Sequence, residues 1–235
     1  MNVEEQIRNL VPNDKYYTIG FADLTNLLAD KYKSYNYGIV IGKKLDDKIV
    51  DSVISGPNFE YYKQYNQTNK DLSELVHKIS EKLKSLNISS FVIEPTIADK
   101  ELDGQYIKTL RYDFSHKMVA TRAGIGWIGK TALLISDKFG PRLRLATILT
   151  NYSLPCSNKP INESKCGLCN LCVEQCPARA ANGELWDINI DRDSFFNPFK
   201  CREKCLELSW KNMKIRTSIC GICVSICPIG RKNKK

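Results

Sequence analysis

The sequence predicts an α+β protein, with a sheet-centred domain over residues 1–155 and a small cysteine-organised domain over residues 156–235. Two observations carry this. Apolar runs of strand type alternate with helical periodicity as far as about residue 155. Beyond that point, eight of the chain's ten cysteines form two spaced groups. At 235 residues and 43% hydrophobic content the chain is long enough for one sizeable core plus a small cofactor domain.

Taken in order, residues 3–11 predict a short amphipathic helix with Val3, Ile7, Leu10 and Val11 on one face. Tyr16 to Leu24 reads as a strand and Leu24 to Tyr35 as a helix. The apolar run Tyr37 to Gly42 is of buried-strand type. Leu72, Leu75, Val76, Ile79, Leu83 and Leu86 hold helical spacing, which makes Asp71–Leu86 the clearest helix; His77 sits beside that stripe as a boundary residue. Phe91 to Ile93 is a strand closed by Pro95, and residues 102–122 predict one further helix. Two apolar runs, Ala132–Ser136 and Arg142–Thr150, complete the strands, and residues 152–155 link into the cysteine region.

Cys166, Cys169, Cys172 and Cys176, followed by Pro177, spell C-x-x-C-x-x-C-x-x-x-C-P. Cys220, Cys223 and Cys227, then Pro228, form a shorter second run, with Cys201 upstream as the candidate eighth ligand. The first spacing is that of bacterial two-cluster ferredoxins, in which the fourth cysteine of a run serves the other cluster. Three thiolates at i, i+3 and i+6 wrap three corners of a cubane, and the fourth corner must come from elsewhere. The pattern therefore predicts two [4Fe-4S] clusters, one on Cys166, Cys169, Cys172 and Cys227, the other on Cys176, Cys201, Cys220 and Cys223. Cys205 lies close enough in sequence to replace Cys201. C-x-x-C pairs also suit tetrahedral zinc, but the triple-cysteine loop and the two C-x-x-x-C-P endings disfavour it. Cys156 and Cys205, left over, are expected to be small buried hydrophobes.

The net charge is +9, and residues 156–235 supply +6 of it, 14 Lys+Arg against 8 Asp+Glu. Two four-thiolate clusters offset about four of those charges. The remainder suits an acidic, low-potential electron donor such as a flavodoxin or ferredoxin, or a nucleic acid. The basic tail at residues 231–235 reads as solvated. The N-terminal stretch lacks a signal peptide's basic start and apolar run, and no segment has membrane-spanning length. With oxygen-sensitive thiolate chemistry, this predicts a cytoplasmic protein with no membrane partner.

The second unusual segment runs from Arg122 through Gly124, Gly126, Trp127 and Gly129 to Lys130. Its glycines allow a close backbone approach to a flat ligand, its indole can pack on that ligand, and Lys130 can meet a phosphate or carboxylate. Alone, it reads as a turn: a dinucleotide site would need a preceding strand and an acidic residue about 20 positions on. R-A-G-I-G-W-I-G-K-T-A-L-L-I, followed by C-G-L-C-N-L-C-V-E-Q-C-P and I-C-G-I-C-V-S-I-C-P, resembles the epoxyqueuosine reductase family, relatives of the reductive dehalogenases. The resemblance is specific over residues 111–230. It implies a nitroreductase-like α/β sandwich that binds cobalamin, fused to a two-cluster ferredoxin-like domain. It further implies that residues 122–130 line the corrinoid pocket, and that electrons pass from an external donor through the clusters to cobalt.

Three departures accompany the resemblance. The family continues into a C-terminal helical-repeat region that helps hold tRNA, whereas this sequence stops after the second cysteine run. The family's acidic proton donor lies in a D-[ST]-A-P segment, where this chain has Arg111 to Lys117 without proline. Asp113 or His116 is the candidate catalytic proton donor there: His116 titrates near neutrality, and Asp113 would need burial to raise its pKa. The small size suggests a compact relative with its own substrate, a small molecule or a modified nucleoside. The expectation is a corrinoid-dependent iron-sulfur reductase; the alternatives are a non-catalytic two-cluster electron carrier and a reductive activator of a corrinoid protein.

Overall fold

The computed structural model describes residues 2–97, 102–156 and 158–231. Residues 232–235 of the basic tail lie outside them. The elements are α1 (Val3–Arg8), β1 (Tyr17–Asp23), β2 (Tyr37–Lys44), α2 (Asp47–Asp51), α3 (Phe59–Ser85), β3 (Ser90–Ile93), α4 (Gly104–Thr109), α5 (His116–Arg122), β4 (Gly126–Ile128), β5 (Leu134–Ser136), β6 (Leu143–Thr150), α6 (Leu171–Glu174), α7 (Arg192–Phe195), α8 (Pro198–Met213) and α9 (Ile222–Ile226).

They form two compact units, the first made of residues 1–44, 68–125 and 144–161, the second of residues 45–67, 126–143 and 162–235. The expected single cut at 155/156 therefore differs from the folded arrangement. The cysteine segment takes two earlier stretches of chain into its own unit, because α6, α7 and α9, of 4, 4 and 5 residues, offer too little apolar surface to make a core unaided.

The first unit holds a four-stranded sheet in the order β1-β2-β6-β3. β1 and β2 pair antiparallel with Ile19 opposite Ile41, and β3 pairs antiparallel with β6, Val92 opposite Ile148. Side chains alternate across a strand, so Phe21, Ile39, Ile41, Ala146 and Ile148 share one face. The helical stripe of α3 (Leu72, Leu75, Val76, Ile79 and Leu83) and Ile7 of α1 pack against it. Each such buried side chain contributes about 1.5–3 kcal/mol. α5 lies on the opposite face, close enough that a Cβ on Gly38 would stand 2.9 Å from Val119.

Helix boundaries follow local chemistry. The Asn58 carboxamide accepts the Tyr61 N–H at 2.9 Å, starting α3 thirteen residues before Leu72. At the other end Asn87 takes a left-handed φ of 58°, and the Ile88 N–H returns to the Leu83 carbonyl.

Two expected helices are corrected. Residues 24–35 form only a 3-10 turn at Asp30–Tyr32. The Asp23 carboxylate accepts both the N–H and the hydroxyl of Thr25, and Asn26 has φ 62°, so the chain turns instead of coiling. Residues 102–122 break into α4 and α5 at Leu110, which is left-handed, and each helix has its own cap, Asp103 and Ser115. Among the described residues no helix is long and apolar enough to cross a membrane.

Ile79, fully buried between α3 and the sheet, offers a direct test of this core. Ile79→Ala is expected to cost about 2–5 kcal/mol, read as a lower urea midpoint with an unchanged slope.

Candidate functional site

The second unit is assembled around its cysteines. β4 and β5 form a hairpin in which Trp127 lies opposite Ile135. A turn closes it, with the Gly129 N–H on the Leu133 carbonyl and Ala132 at φ 57°. In the cysteine loop, the Cys169 N–H bonds the Cys166 carbonyl at 3.2 Å, and α6 carries Cys172. α9 packs against α6 and α2 and carries Cys223, and Cys227 ends it. The residues just after Cys227 are pinned by a backbone approach that only glycine allows: a Cβ on Gly140 would stand 1.9 Å from the Ile229 carbonyl oxygen.

The result is a pocket of about 520 Å³, counting its solvent-open mouth, lined by Cys166, Cys169, Cys172, Cys223 and Cys227 together with Lys130 and Thr131. Burial pushes the Cys172 thiol up to about 11, and the neighbouring Cys166, Cys227 and Cys169 sulfurs push in the same direction. Three members of the first run thus share one space with two members of the second, Cys223 and Cys227. The second group is Cys201, Cys205, Cys220 and Cys223. Cys201 and Cys205 lie one helical turn apart on α8, their sulfurs 4.0 Å from each other. Cys205 is the hydrogen-bond partner that holds the Cys201 and Cys220 thiols below the ordinary cysteine value, Cys220 at about 7. Cys223 is raised by burial and then by Cys220, Cys201 and Cys172, so the two groups adjoin.

Cys205 is buried as expected, but it is a hydrogen-bonding member of the second group as well as a packing residue. The Cys176 sulfur accepts the Ala180 N–H at 3.5 Å. Cys156 is a correction: it is exposed, in the loop after β6, with its thiol donating to the Leu154 carbonyl at 3.5 Å. Among the described residues, no three His, Cys, Asp or Glu side chains close on a point as a single metal ion requires. Five cysteines line one pocket, a thiolate donor set of the kind a cubane takes, and the residues fit one on that ground.

The glycine-tryptophan segment is engaged with this site. Trp127, 4% exposed, donates its indole N–H to the Cys166 sulfur at 3.3 Å. Lys130, also 4% exposed, bonds the Asn170 carboxamide oxygen at 2.7 Å. A Cβ on Gly126 would stand 2.1 Å from the Ile135 carbonyl oxygen, and one on Gly129 would stand 2.8 Å from the Ile135 side chain and 3.6 Å from the Cys166 sulfur. In the first unit, Arg122 donates to the Ile161 carbonyl, and a Cβ on Gly124 would stand 2.7 Å from Asn158. The residues expected to line a corrinoid thus touch the cysteine pocket or neighbouring chain.

Arg142, Thr131 and Asn170 carry no motif and escaped the sequence reading. Arg142 is fully buried and bonds Asp51 (2.7 Å), Asp47 (3.3 Å) and the Ser225 carbonyl in α9 (3.1 Å), fixing the helix that carries Cys223. The Thr131 hydroxyl bonds Cys223 and draws its pKa back down. Only a contact map reveals such partners.

The two candidate proton donors are placed differently from each other. Asp113, 60% exposed at its side chain, pairs with Lys31 at 2.7 Å, so it lacks the burial its expected role required. His116 donates from Nε2 to the Glu94 carbonyl (2.9 Å), and its Nδ1 therefore accepts from the Thr147 hydroxyl (2.8 Å). Burial lowers its pKa to about 4, with Arg144 adding to the effect. At neutral pH His116 is uncharged with both nitrogens engaged, which suits a structural hydrogen-bonding residue.

Residues 159–181 match the 4Fe-4S binding domain family. In sequence, the chain is 30% identical over 151 residues to the epoxyqueuosine reductase of Synechocystis sp., covering 64% of this chain and 49% of that protein. It is 33% identical over 128 residues to that of Bacillus cereus, covering 52% and 30%. The chain resembles the epoxyqueuosine reductases. It spans about half the length of the Synechocystis protein, or less than that of its Bacillus cereus counterpart. Among solved structures, epoxyqueuosine reductase from Streptococcus thermophilus superimposes with a TM-score of 0.58 at 17% identity, covering 99% of this chain and 67% of that one. A reductive dehalogenase described as suggesting a mechanism for B12-dependent dehalogenation gives 0.65 at 15% identity, covering 92% and 30%. The chain shares their fold.

His116 generates a pH prediction. Its folded value of about 4 lies below the ordinary 6.5, so between those values the unfolded chain binds the extra proton. Stability is then fully present above pH 6.5 and lost as pH falls to 4, by about 3 kcal/mol at most. In urea titrations at pH 7 and pH 4.5, His116→Gln is expected to remove this part of the acid sensitivity while lowering stability at pH 7.

Proposed function

We propose that this chain is an iron-sulfur oxidoreductase with two [4Fe-4S] clusters that delivers electrons to an epoxyqueuosine-like modified nucleoside or a related small molecule. The observation that carries this is the gathering of Cys166, Cys169, Cys172 and Cys227 around one pocket. When bound, such clusters supply reversible one-electron transfer. Cys166, Cys169, Cys172 and Cys227 would hold the first. Cys220, Cys223, Cys176 and one of Cys201 and Cys205 would hold the second, the two α8 sulfurs lying 4.0 Å apart. Trp127 and Thr131 each donate a hydrogen bond to a ligand sulfur. Arg142 anchors the helix that presents Cys223.

The substrate class rests on sequence likeness to the epoxyqueuosine reductases. It also rests on a fold shared with an epoxyqueuosine reductase solved with an epoxyqueuosine-modified tRNA stem loop, at a TM-score of 0.56 and 17% identity. The electron source in this reading is an acidic flavodoxin or ferredoxin, drawn by the chain's net charge of +9. The first unit is read as a compact nitroreductase-like domain. Cobalamin dependence is supported by the likeness to the B12-dependent dehalogenase fold. Of the residues proposed to line the corrinoid, Trp127 and Lys130 also contact the cysteine site.

The test is iron and sulfide analysis of protein purified without oxygen, followed by single-turnover reduction of epoxyqueuosine-modified tRNA with and without cobalamin. About eight irons per chain and turnover are expected. Full iron without turnover would replace the reading with that of an electron carrier. Cys169→Ser is expected to lower the content to about four irons per chain, with reduced thermal stability, because ligation and folding are coupled. An unchanged iron content would overturn the ligand set.

A further inference from the structure

Lys130 is a lysine almost wholly removed from water, and the partner given to its ammonium is a neutral carboxamide, Asn170 Oδ1 at 2.7 Å. Among the described residues it forms no ion pair with a carboxylate. An uncompensated buried charge is costly and is retained only where something opposite in sign is supplied. It lines the pocket that Cys166, Cys169, Cys172 and Cys227 surround. Beside it on the same hairpin, Trp127 aims an N–H at the Cys166 sulfur. The Lys165 ammonium stands 5.5 Å from the centre of the Trp127 ring, a position that draws density from the indole and strengthens its N–H as a donor.

We propose that Trp127 and Lys130 are positioning residues for the redox potential of the cluster at Cys166, Cys169, Cys172 and Cys227, together raising it above what four thiolates alone would set. The inference rests on the function proposed above and concerns how that site is tuned. Four thiolates around an oxidised cubane leave about two negative charges, and accepting one electron from a reductant adds a third with no bond made or broken. A fixed cation and a hydrogen bond to sulfur stabilise the more negative state more strongly, so the equilibrium shifts toward reduction. The sequence alone pointed Lys130 at a ligand's phosphate or carboxylate; the fold places it in the lining of the cysteine pocket.

The experiment is an anaerobic redox titration followed by electron paramagnetic resonance, with dithionite as reductant, on the wild type, Lys130→Met, Lys130→Arg and Trp127→Phe. Lys130→Met is expected to lower the reduced-to-oxidised ratio of one cluster about tenfold at fixed potential, about 59 mV for one electron. Lys130→Arg should restore most of it, and Trp127→Phe should shift the same cluster in the same direction by less. Iron content separates the two levels of failure. A wild type without iron would remove the proposed function and this inference with it. Loaded variants with wild-type midpoints would overturn the inference alone, as would a Lys130→Met shift that Lys130→Arg fails to reverse, since that would mark a packing effect. If Lys130→Met does not load, the Trp127→Phe midpoint decides.

Discussion

Burial and neighbouring sulfurs push the Cys172 and Cys227 thiols up, and the second unit is organised around making that crowding tolerable. Cys172 is pushed up by burial and by three neighbouring sulfurs at once. Thiolates in such a place are stable only with positive charge among them, which iron supplies, and with hydrogen bonds at their rim. The chain furnishes the rim from outside the cysteine segment. Residues 126–143 contribute an indole N–H, a buried ammonium and a threonine hydroxyl. Residues 45–67 contribute Val50, Val53 and Tyr61, which give α9 and its cysteines an apolar floor.

Arg142 shows the same logic at a distance from the sulfurs. Its guanidinium is fully enclosed, yet Asp47, Asp51 and the Ser225 carbonyl meet it from two directions. A planar fork with several donors suits that task better than a lysine ammonium. It joins α2 to α9 by polar contacts, beside a small cluster of six buried residues that includes Val50 and Val224. In a unit with such short helices, directed hydrogen bonds do part of the work that apolar area does in the first unit.

The first unit follows the opposite pattern. Its sheet is covered by α3 and α1 on one face and approached closely by α5 on the other, and its stability is mostly that of a packed apolar core. The polar exception is the contact of His116 with Thr147 and Glu94. It ties α5 to the sheet and to the chain after β3, and it keeps the imidazole neutral. A residue whose type alone suggested proton transfer is thereby explained by its hydrogen bonds.

The sequence by itself determined β1, β2, β3, β5 and β6, the α3 stripe and the cysteine pattern, because each is written in a short-range period: two for strands, about 3.6 for helices, three for the cluster loop; β4 lies in the segment that reads as a turn. The expectation that Cys227 joins the first run came from the same loop, which presents three thiolates and leaves a corner open. The helices assigned to residues 24–35 and 102–122 failed for a different reason. Apolar periodicity was outweighed there by one capping carboxylate at Asp23 and by a left-handed residue at Leu110. Only the tertiary structure decided what Trp127, Lys130 and Arg142 do, and that Cys205 bonds rather than merely packs. Their partners lie at Cys166, Asn170 and Asp51, as many as 91 positions away, and a buried charge or donor is defined by what faces it in space, which no local spacing encodes.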